Sequence, residues 1–268
     1  MGQEGNHRMR TIIAIGNQKG GVAKTTTCVS LGAAFVERGL EVLAVDLDPQ
    51  GNLSLALGVN TRGLRRGAAD VLLGNLSATS VSRETVVPGL DIIPSNPDMQ
   101  LVEKFLTVRQ NYEYSLRQAL ALTPNYEVIL FDCPPSVGAL PFTALTAADL
   151  LVIPTQCEYF STHGLGEVMD LIARVRERTN PNLNYRLLVT MYDRRNRVHR
   201  TILDQLRGAF GNAVLETAIE IDTKLRESPV FGQPITQYAP KSRAALQYRA
   251  LAEELSVYVQ REKTSQPA

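Results

Sequence analysis

The sequence has few cysteines and no large excess of charge, and each of these absences excludes a class of protein. The three cysteines, Cys28, Cys133 and Cys157, are scattered and form no Cys-x-x-Cys pair. This argues against a disulfide framework or a zinc site and is typical of a reducing cytosol. The formal net charge is only +1, so any binding to nucleic acid or to an anionic membrane must come from a local patch.

Long apolar runs, internal repeats and low-complexity linkers are also missing. No apolar stretch approaches the roughly 20 residues of a membrane-spanning helix, and the polar start, MGQEGNHRMR, lacks the apolar region of a signal peptide. With 268 residues, 44% of them hydrophobic, the chain can bury one large core. We therefore expect a single domain over residues 11–261, with a flexible N-terminal segment 1–10 and a polar C-terminal tail 262–268.

Short apolar runs rich in β-branched residues alternate with stretches of helical length. Seven runs are predicted to be strands, namely 11–16, 41–46, 90–95, 126–132, 149–155, 185–193 and 213–221. Six further segments are predicted to be helices, namely 25–38, 97–106, 112–122, 162–178, 197–210 and 243–261. Because the strands are apolar almost throughout, both of their faces should be buried. The sequence therefore predicts an α/β fold, a mostly parallel twisted sheet with helices on both faces.

Three polar motifs begin where predicted strands end. Residues 17–26 follow the first strand, DLDPQGN (46–52) follows the second, and DCPPS (132–136) follows the fourth. In a parallel sheet the carboxyl ends of the strands meet at one edge, and ligands bind there. We therefore expect the three motifs to converge.

The first of these motifs, NQKGGVAKTT, has the features of a phosphate-binding loop. Gly20 and Gly21 let the backbone curl closely around a phosphate because no Cβ intrudes. Lys24 would place its ammonium between the β- and γ-phosphates, and the Thr25 hydroxyl would ligate Mg²⁺. The helix that follows adds backbone N–H groups and the positive end of its dipole. A nucleotide site is therefore predicted.

This loop and the later motifs resemble those of a known family. KGGVAKTT is similar to the deviant Walker A motif, K-G-G-x-G-K-[ST]-[ST], of the ParA/MinD ATPases, which are P-loop NTPases. VDLDPQGN, FDCPPS, PTQCEYFSTHGL and LVTMYD narrow the resemblance to ParA proteins of the chromosomal Soj type. The resemblance runs from about residue 11 to residue 255. It implies an ATPase that uses ATP and Mg²⁺.

The resemblance also implies roles for individual residues. The early lysine, here Lys19, would cross the interface of an ATP-bound homodimer and offset the charge on the partner's nucleotide. Lys24 and Asp48 complete the predicted catalytic set, with Asp48 orienting and activating the attacking water. The predicted nucleotide contacts are Lys19, Gly20, Gly21, Val22, Ala23, Lys24, Thr25, Thr26, Pro135, Met191 and Asp222.

Two further aspartates are expected to assist Thr25 at the magnesium ion. Asp132 follows the apolar run VILF, as a Walker B acid should, and is predicted to hold a magnesium-bound water. Asp46 is predicted to lie at its strand end near the magnesium shell. The alternative for each aspartate, Asp48 included, is a turn acid or a helix cap. The prolines after Asp132 predict a rigid turn that leads into residues 136–138, a candidate γ-phosphate sensor.

The sequence departs from the family pattern in the loop and near the C-terminus. Gln18 replaces the first glycine of the standard P-loop pattern, and Ala23 replaces the last glycine, which the family keeps. If that position needs positive φ, the methyl group strains the loop, and we expect weaker nucleotide binding or slower hydrolysis. IEIDTKLRESP stands where the Soj type has a proline-arginine-asparagine run. Asp222 is predicted either to accept a hydrogen bond from the adenine amino group or to cap the helix that starts at Thr223.

The sequence contains an arginine-rich segment, although its formal net charge is close to zero. Eight arginines lie between positions 174 and 200, against only Glu177 and Asp193, and such a surface suits contact with the phosphate backbone of DNA. Arg195 of this segment, and Lys224 beyond it, fall where Soj-type proteins carry arginines for non-specific DNA binding. The alternative is an ordinary solvated helix face. The predicted DNA-binding residues are Arg194, Arg195, Arg197, Arg200, Lys224 and Arg226.

The resemblance implies a partition ATPase of the cytoplasm and nucleoid. Its ATP-bound homodimer would coat double-stranded DNA non-specifically, and a ParB-type centromere-binding partner would stimulate hydrolysis and release it. One alternative is a MinD-like membrane ATPase, but the tail YVQREKTSQPA lacks the apolar face of a membrane-surface helix, so no membrane partner is expected. The other alternative is a metabolic ATP-dependent ligase on the same fold, which would need neither the arginines nor Lys19.

Overall fold

The computed structural model describes residues 10–121, 123, 126–158 and 161–260. Within these residues lie the strands β1 (Thr11–Ile15), β2 (Val42–Asp46), β3 (Arg83–Glu84), β4 (Leu90–Ile93), β5 (Val128–Asp132), β6 (Leu150–Gln156), β7 (Asn184–Tyr192) and β8 (Val214–Glu220). The helices are α1 (Lys24–Glu37), α2 (Asn52–Ala56), α3 (Ala68–Leu72), α4 (Ala78–Val81), α5 (Met99–Leu106), α6 (Ser115–Ala121), α7 (Ala139–Ala147), α8 (Ser161–Arg178), α9 (Arg197–Phe210), α10 (Thr223–Glu227), α11 (Ile235–Tyr238) and α12 (Arg243–Gln260). The predicted C-terminal tail 262–268 and, apart from Arg10, the predicted N-terminal segment lie outside these residues.

The strands form one eight-stranded sheet in the order β3-β4-β2-β5-β1-β6-β7-β8. All neighbouring strands are parallel except β3, which pairs antiparallel with β4. All seven predicted strands are present. The additional strand, β3, has two exposed residues, too short for an apolar run to reveal it. The predicted mostly parallel sheet is confirmed.

Successive residues of the central strands enter two different cores, one on each face of the sheet. In β2, Leu43 and Val45 belong to the core beneath α3, α5, α6, α7 and α8, whereas Val42 and Ala44 belong to the core beneath α1 and α12. Because neighbouring side chains of a strand point to opposite faces, a strand buried on both sides must be apolar throughout. The predicted helical layers on both faces are therefore confirmed.

The six predicted helices are present, and of the remaining helices within the described residues the longest is α7. Pattern reading missed it for a physical reason. Every residue of α7 is buried, and a helix that is apolar all round shows no amphipathic period. It packs against α6 and α8. Among the described residues, no helix combines the length and apolar character needed to cross a membrane.

The sheet order places β2, β5 and β1 side by side, and their register aligns the motifs that follow them. Asp132 at the end of β5 pairs with Ile15 of β1 on one side and with Asp46 of β2 on the other. The predicted convergence of the three polar motifs is therefore confirmed.

Candidate nucleotide site

The loop between β1 and α1 curls around a lysine that bends back over it. Lys24 is the first residue of α1 and is only 8% exposed. Its Nζ donates a hydrogen bond to the carbonyl oxygen of Lys19 at 2.9 Å. Burial lowers the pKa of Lys24, although attraction to Asp132 and Asp48 opposes that shift. The Lys24 ammonium therefore lies inside the loop, close to two carboxylates. A phosphate bound in the loop would contact this positive charge.

Side chains from the ends of β6 and β7 hold this loop in shape. Asn17 donates to the carbonyl oxygen of Pro154 at 2.7 Å and accepts the backbone N–H of Lys19 at 3.0 Å. Thr190 donates to the carbonyl oxygen of Val22 at 3.1 Å, and Gln156 donates to that of Gly21 at 3.0 Å. Sequence reasoning missed these anchors, since a polar residue at a strand end is the only signal that they give.

The front of the loop is open. A Cβ placed on Gly20 or Gly21 would meet no described atom within 4 Å, and Gly21 has a positive φ of 73°, a conformation that glycine adopts without strain. The backbone therefore leaves room for a phosphate at the N-terminus of α1.

Ala23, which stands where the family has glycine, has a left-handed backbone conformation. Its φ is 68° and its ψ is 33°, in the left-handed region, where a residue with a Cβ is strained by about 1–2 kcal/mol. Its carbonyl accepts the N–H of Thr27 at 2.9 Å, which closes the first turn of α1. Position 23 therefore has the positive φ on which the expected strain of the alanine depends.

Thr25 and Asp132 form the part of the site that fits a hard cation. The Thr25 hydroxyl donates to Oδ2 of Asp132 at 2.7 Å. Asp132 is 1% exposed, and its Oδ1 has no hydrogen-bond partner among the described residues. Burial, with a further contribution from Asp46, raises the pKa of Asp132 well above its usual range. An unpaired carboxylate oxygen beside a hydroxyl is a donor set that Mg²⁺ or its bound water would complete.

Few protein groups beside Thr25 and Asp132 could coordinate a metal ion, which is typical of magnesium sites. Among the described residues, no cluster of three or more His, Cys, Asp or Glu side chains could hold a metal alone. Mg²⁺ usually keeps several waters and takes one or two protein groups together with substrate phosphates. The residues present therefore fit a magnesium ion that arrives with a nucleotide.

Asp46 is fully buried and holds the turn that carries Asp48. Its Oδ2 accepts the N–H and the hydroxyl of Ser54 at 2.8 and 2.6 Å, and its Oδ1 accepts the N–H of Asp48 at 3.2 Å. Burial raises the pKa of Asp46 to about 6, while the Ser54 hydrogen bonds oppose the shift. These contacts give Asp46 a positioning role, and its contact with the magnesium shell stays a prediction.

Asp48 lies at the opening of the site on a tight turn. It is 9% exposed, its Oδ1 accepts the N–H of Gln50 at 2.9 Å, and its carbonyl accepts the N–H of Gly51 at 2.9 Å. The structure therefore brings Asp48 together with Lys24, Thr25 and Asp132. Its role in activating water stays a prediction.

The loop after β5 continues around the site. Pro135 is exposed, and Cys133 is buried, where burial raises its pKa; Cys133 is thus a small core residue. A Cβ on Gly138 would lie 2.1 Å from Oε1 of Glu103. Glycine at 138 therefore leaves room for the Glu103 side chain of α5 beside the candidate phosphate-sensing segment.

A cleft of about 260 Å³ lies beside the loop, between the ends of β7 and β8 and α10. Met191, which has a positive φ of 51°, lines it and accepts a hydrogen bond from Nε2 of Gln156 at 2.8 Å. Asp222 also lines it, but its two carboxylate oxygens accept the N–H of Lys224 at 2.9 Å and of Ala244 at 3.1 Å. Asp222 thus caps α10 and α12. Adenine contacts by Met191 and Asp222 stay predictions.

Lys19 projects outward from the loop. Its side chain is 35% exposed, and Nζ forms an ion pair with Glu158 at the end of β6. The structure therefore holds Lys19 at the surface of the site, where the predicted contact with a partner's nucleotide would need it.

The predicted DNA-binding residues lie on the loop before α9, on α9 itself and on α10, and all six are exposed. Three of them form ion pairs with acidic neighbours: Arg194 with Glu220 at 3.5 Å, Arg195 with Asp193 at 3.2 Å, and Lys224 with Glu227 at 2.9 Å. The Arg195 side chain is 88% exposed. The cation of each pair is at least 52% exposed and so remains accessible to an external anion.

With the geometry in place, comparisons with known proteins identify the family. A family model described as an AAA domain matches residues 10–185. The chromosome partitioning protein ParA of Caulobacter vibrioides is 41% identical over 248 residues, which cover 91% of this chain and 93% of that protein. The chain belongs to the ParA/Soj family. The sporulation initiation inhibitor protein Soj of Bacillus subtilis, 39% identical over 250 residues, covers 92% of this chain and 99% of its own length.

The fold of this ParA/Soj chain also occurs in solved structures. Cobyrinic acid a,c-diamide synthase from Mycobacterium smegmatis, with bound ADP and magnesium, superposes with a TM-score of 0.83 at 35% identity, over 96% of this chain and 97% of that one. The resemblance read from the motifs, and the P-loop fold that it implied, are confirmed.

Proposed function

We propose that this ParA/Soj protein is a partition ATPase that binds ATP with Mg²⁺ and hydrolyses it to ADP and phosphate. One observation carries the proposal: the Thr25 hydroxyl and Oδ1 of buried Asp132, which has no partner among the described residues, lie beneath an open loop whose lysine is close to both Asp132 and Asp48. Residues 11–261 would act together as one ATPase domain.

Each residue of the site then has a chemical task. Backbone N–H groups at the start of α1 and the Lys24 ammonium bind and orient the β- and γ-phosphates. Thr25 would ligate the magnesium ion and Asp132 would hold a water bound to it; the ion, when bound, neutralises phosphate charge. Asp48 holds the attacking water in line and accepts its proton, since phosphoryl transfer depends mainly on positioning. Asp46 and Ser54 keep Asp48 in place.

Lys19 supports the proposal that two ATP-bound subunits form a sandwich dimer. Two facing nucleotides concentrate negative charge at an interface, and a cation contributed by each subunit would offset it. Lys19 is partly exposed, and its present partner Glu158 is 55% exposed. An exposed ion pair costs little to break, so Lys19 can leave Glu158 for a phosphate.

The exposed cations on α9 and α10 support non-specific binding to double-stranded DNA. They present exposed guanidinium and ammonium groups, which suit contacts with backbone phosphates. Dimerisation would double this surface. The protein would then act in the cytoplasm on the nucleoid, and a ParB-type centromere-binding protein would stimulate hydrolysis and release it.

A second candidate function comes from the solved cobyrinic acid a,c-diamide synthase that this chain resembles. A diamide synthase that took its nitrogen from the side-chain amide of glutamine would need a reactive thiolate. All three cysteines of this chain are buried, and burial raises the pKa of each one. Buried thiols with raised pKa values are poor nucleophiles, and the partition function is favoured.

A gel-shift experiment on non-specific duplex DNA tests the proposal, with no nucleotide, ADP or ATP, in the parent and in Asp48→Ala. A shift with ATP alone, held longer by Asp48→Ala, is expected because that variant binds ATP but hydrolyses it slowly. No shift under any condition would reject the partition function. ATP turnover that responds to a corrinoid acid and ammonia, but not to DNA, would favour the synthase.

A further inference from the structure

A second group of exposed cations lies far from α9 and α10. The segment of residues 61–67, here called the arginine loop, carries Arg62, Arg65 and Arg66, all exposed. No acidic residue occurs between Asp48 and Asp70. Among the described residues, none of the three guanidinium groups forms an ion pair. Three uncompensated positive charges therefore stand within five positions of one another.

The arginine loop is fixed at both ends. At its start, Thr61 lies against the turn of Asp48, so closely that a Cβ on Gly51 would be 3.0 Å from Cγ2 of Thr61. At its end, Gly67 packs against the carbonyl of Pro94, where a Cβ would be only 2.5 Å away, and Ala68 donates to the same carbonyl at 2.8 Å. Anchors of this kind limit the entropy lost when the guanidinium groups meet a ligand.

The loop lies at the carboxyl edge of the sheet but at the opposite end from α9. Pro94 follows β4, and Arg194 follows β7, five strand positions away in the sheet. At about 4.8 Å per strand, the two cationic surfaces are roughly 24 Å apart. Changes to surfaces so far apart are expected to act independently.

The chemistry of the loop indicates an extended polyanion. Guanidinium groups are planar forks that match phosphate oxygens and, unlike ammonium groups, are weakly hydrated. Several exposed arginines in a row neutralise successive charges of a chain of phosphates better than they enclose one small anion. The loop contains no acidic residue, so no negative charge within it would repel nucleic acid.

We propose that the arginine loop is a second contact surface for the phosphates of duplex DNA, separate from the α9–α10 surface. The inference rests on the proposed DNA binding of the ATP-bound protein and adds a surface to it. The slope of log affinity against log salt is negative, and each phosphate contact that is lost reduces its magnitude by about 0.9; slope below means this magnitude. Losing all three arginines should therefore reduce that slope by about 2.7 for each subunit whose arginine loop contacts the DNA.

The test measures DNA affinity with ATP at several salt concentrations, in the parent and in Arg62→Gln/Arg65→Gln/Arg66→Gln. The matched control, Arg83→Gln/Lys104→Gln/Arg117→Gln, removes the same charge from three exposed residues of β3, α5 and α6. A third protein replaces the three loop arginines by lysine, which keeps the charge. If the triple glutamine variant fails to fold, as judged by its melting temperature, Arg65→Gln/Arg66→Gln replaces it, with an expected fall of about 1.8 for each contacting subunit.

A slope that falls by one or more in the loop variant, but not in the control or the lysine variant, supports the inference. An equal slope in the loop variant and the control would overturn it, and so would a loss of ATP-dependent dimer with the slope unchanged. If the parent itself binds no DNA with ATP, the proposed function fails, and that result is distinct from a failure of the arginine loop.

Discussion

The Thr25 hydroxyl donates to one oxygen of the Asp132 carboxylate at 2.7 Å and leaves the other oxygen unpaired within the described residues. Thr25 lies in the first turn of α1, and Asp132 is the last residue of β5. The contact thus joins the phosphate-loop helix to the strand that ends beneath it. A carboxylate buried in this way is costly to ionise unless a cation reaches it.

Replacing Asp132 by asparagine should weaken magnesium binding. Loss of an outer-shell carboxylate typically costs 10–100-fold in metal affinity, and we expect a shift of that size in the Mg²⁺ concentration for half-maximal ATP hydrolysis. Asp91→Asn is the control, because Asp91 is a partly buried strand aspartate that accepts a hydrogen bond from Tyr126 away from the site. An unchanged Mg²⁺ requirement in Asp132→Asn would remove Asp132 from the metal site.

The same substitution should stabilise the protein in the absence of nucleotide. Burial raises the pKa of Asp132, so the folded state favours the protonated acid, and its ionisation costs stability as pH rises. Asparagine removes that cost. The gain in melting temperature should therefore be larger at pH 8 than at pH 5, where Asp132 is more fully protonated. An equal gain at both pH values would contradict the assigned cause.

The fold and the nucleotide loop were predictable because they depend on local patterns. Apolar runs marked all seven longer strands, and the run NQKGGVAKTT placed Lys24 and Thr25 correctly at a strand-to-helix junction. Asp132 could be placed because it ends an apolar strand. Each of these signals depends on a few consecutive residues.

What the sequence could not predict depends on contacts between distant residues. The apolar helix α7 has no polar face, so no period marked it. Ser54 binds Asp46 only because α2 folds back beneath β2, and Asp222 caps α12 across 22 residues of chain. The pairing of Lys19 with Glu158 joins positions 139 residues apart. These contacts follow from tertiary packing, which single-sequence patterns do not encode.

Ala23→Gly should relieve backbone strain in the phosphate-binding loop. The native φ of 68° strains alanine and not glycine, and the relief of about 1–2 kcal/mol exceeds the cost of the added chain entropy, roughly 0.5–1 kcal/mol. We expect a small rise in melting temperature and tighter ATP binding. Ala33→Gly, in the middle of α1, should destabilise the protein instead. If Ala23→Gly matches the parent in ATP affinity, turnover and melting temperature, alanine imposes no strain that matters.

Glu158→Gln should release Lys19 for its proposed contact with a partner's nucleotide. The ATP concentration that gives half-maximal dimer, measured by sedimentation, should fall by about 1.4- to fivefold, because an exposed ion pair contributes about 0.2–1 kcal/mol. Lys19→Gln should prevent the ATP-dependent dimer. Glu253→Gln breaks an ion pair with Arg38 that is similarly exposed and should change nothing. A dimer that forms equally well in Lys19→Gln would exclude the cross-subunit role.

Asp222→Ala decides between the two roles predicted for that residue. Its carboxylate caps α10 and α12 through Lys224 and Ala244, and losing a helix cap costs about 0.5–2 kcal/mol. We therefore expect a lower melting temperature, with the ratio of ATP to GTP affinity unchanged. Asn196→Ala, which removes the cap of α9, should lower the melting temperature to a comparable extent. A variant that loses its preference for ATP while keeping its melting temperature would show that Asp222 recognises adenine, because a cap cannot be removed without a loss of stability.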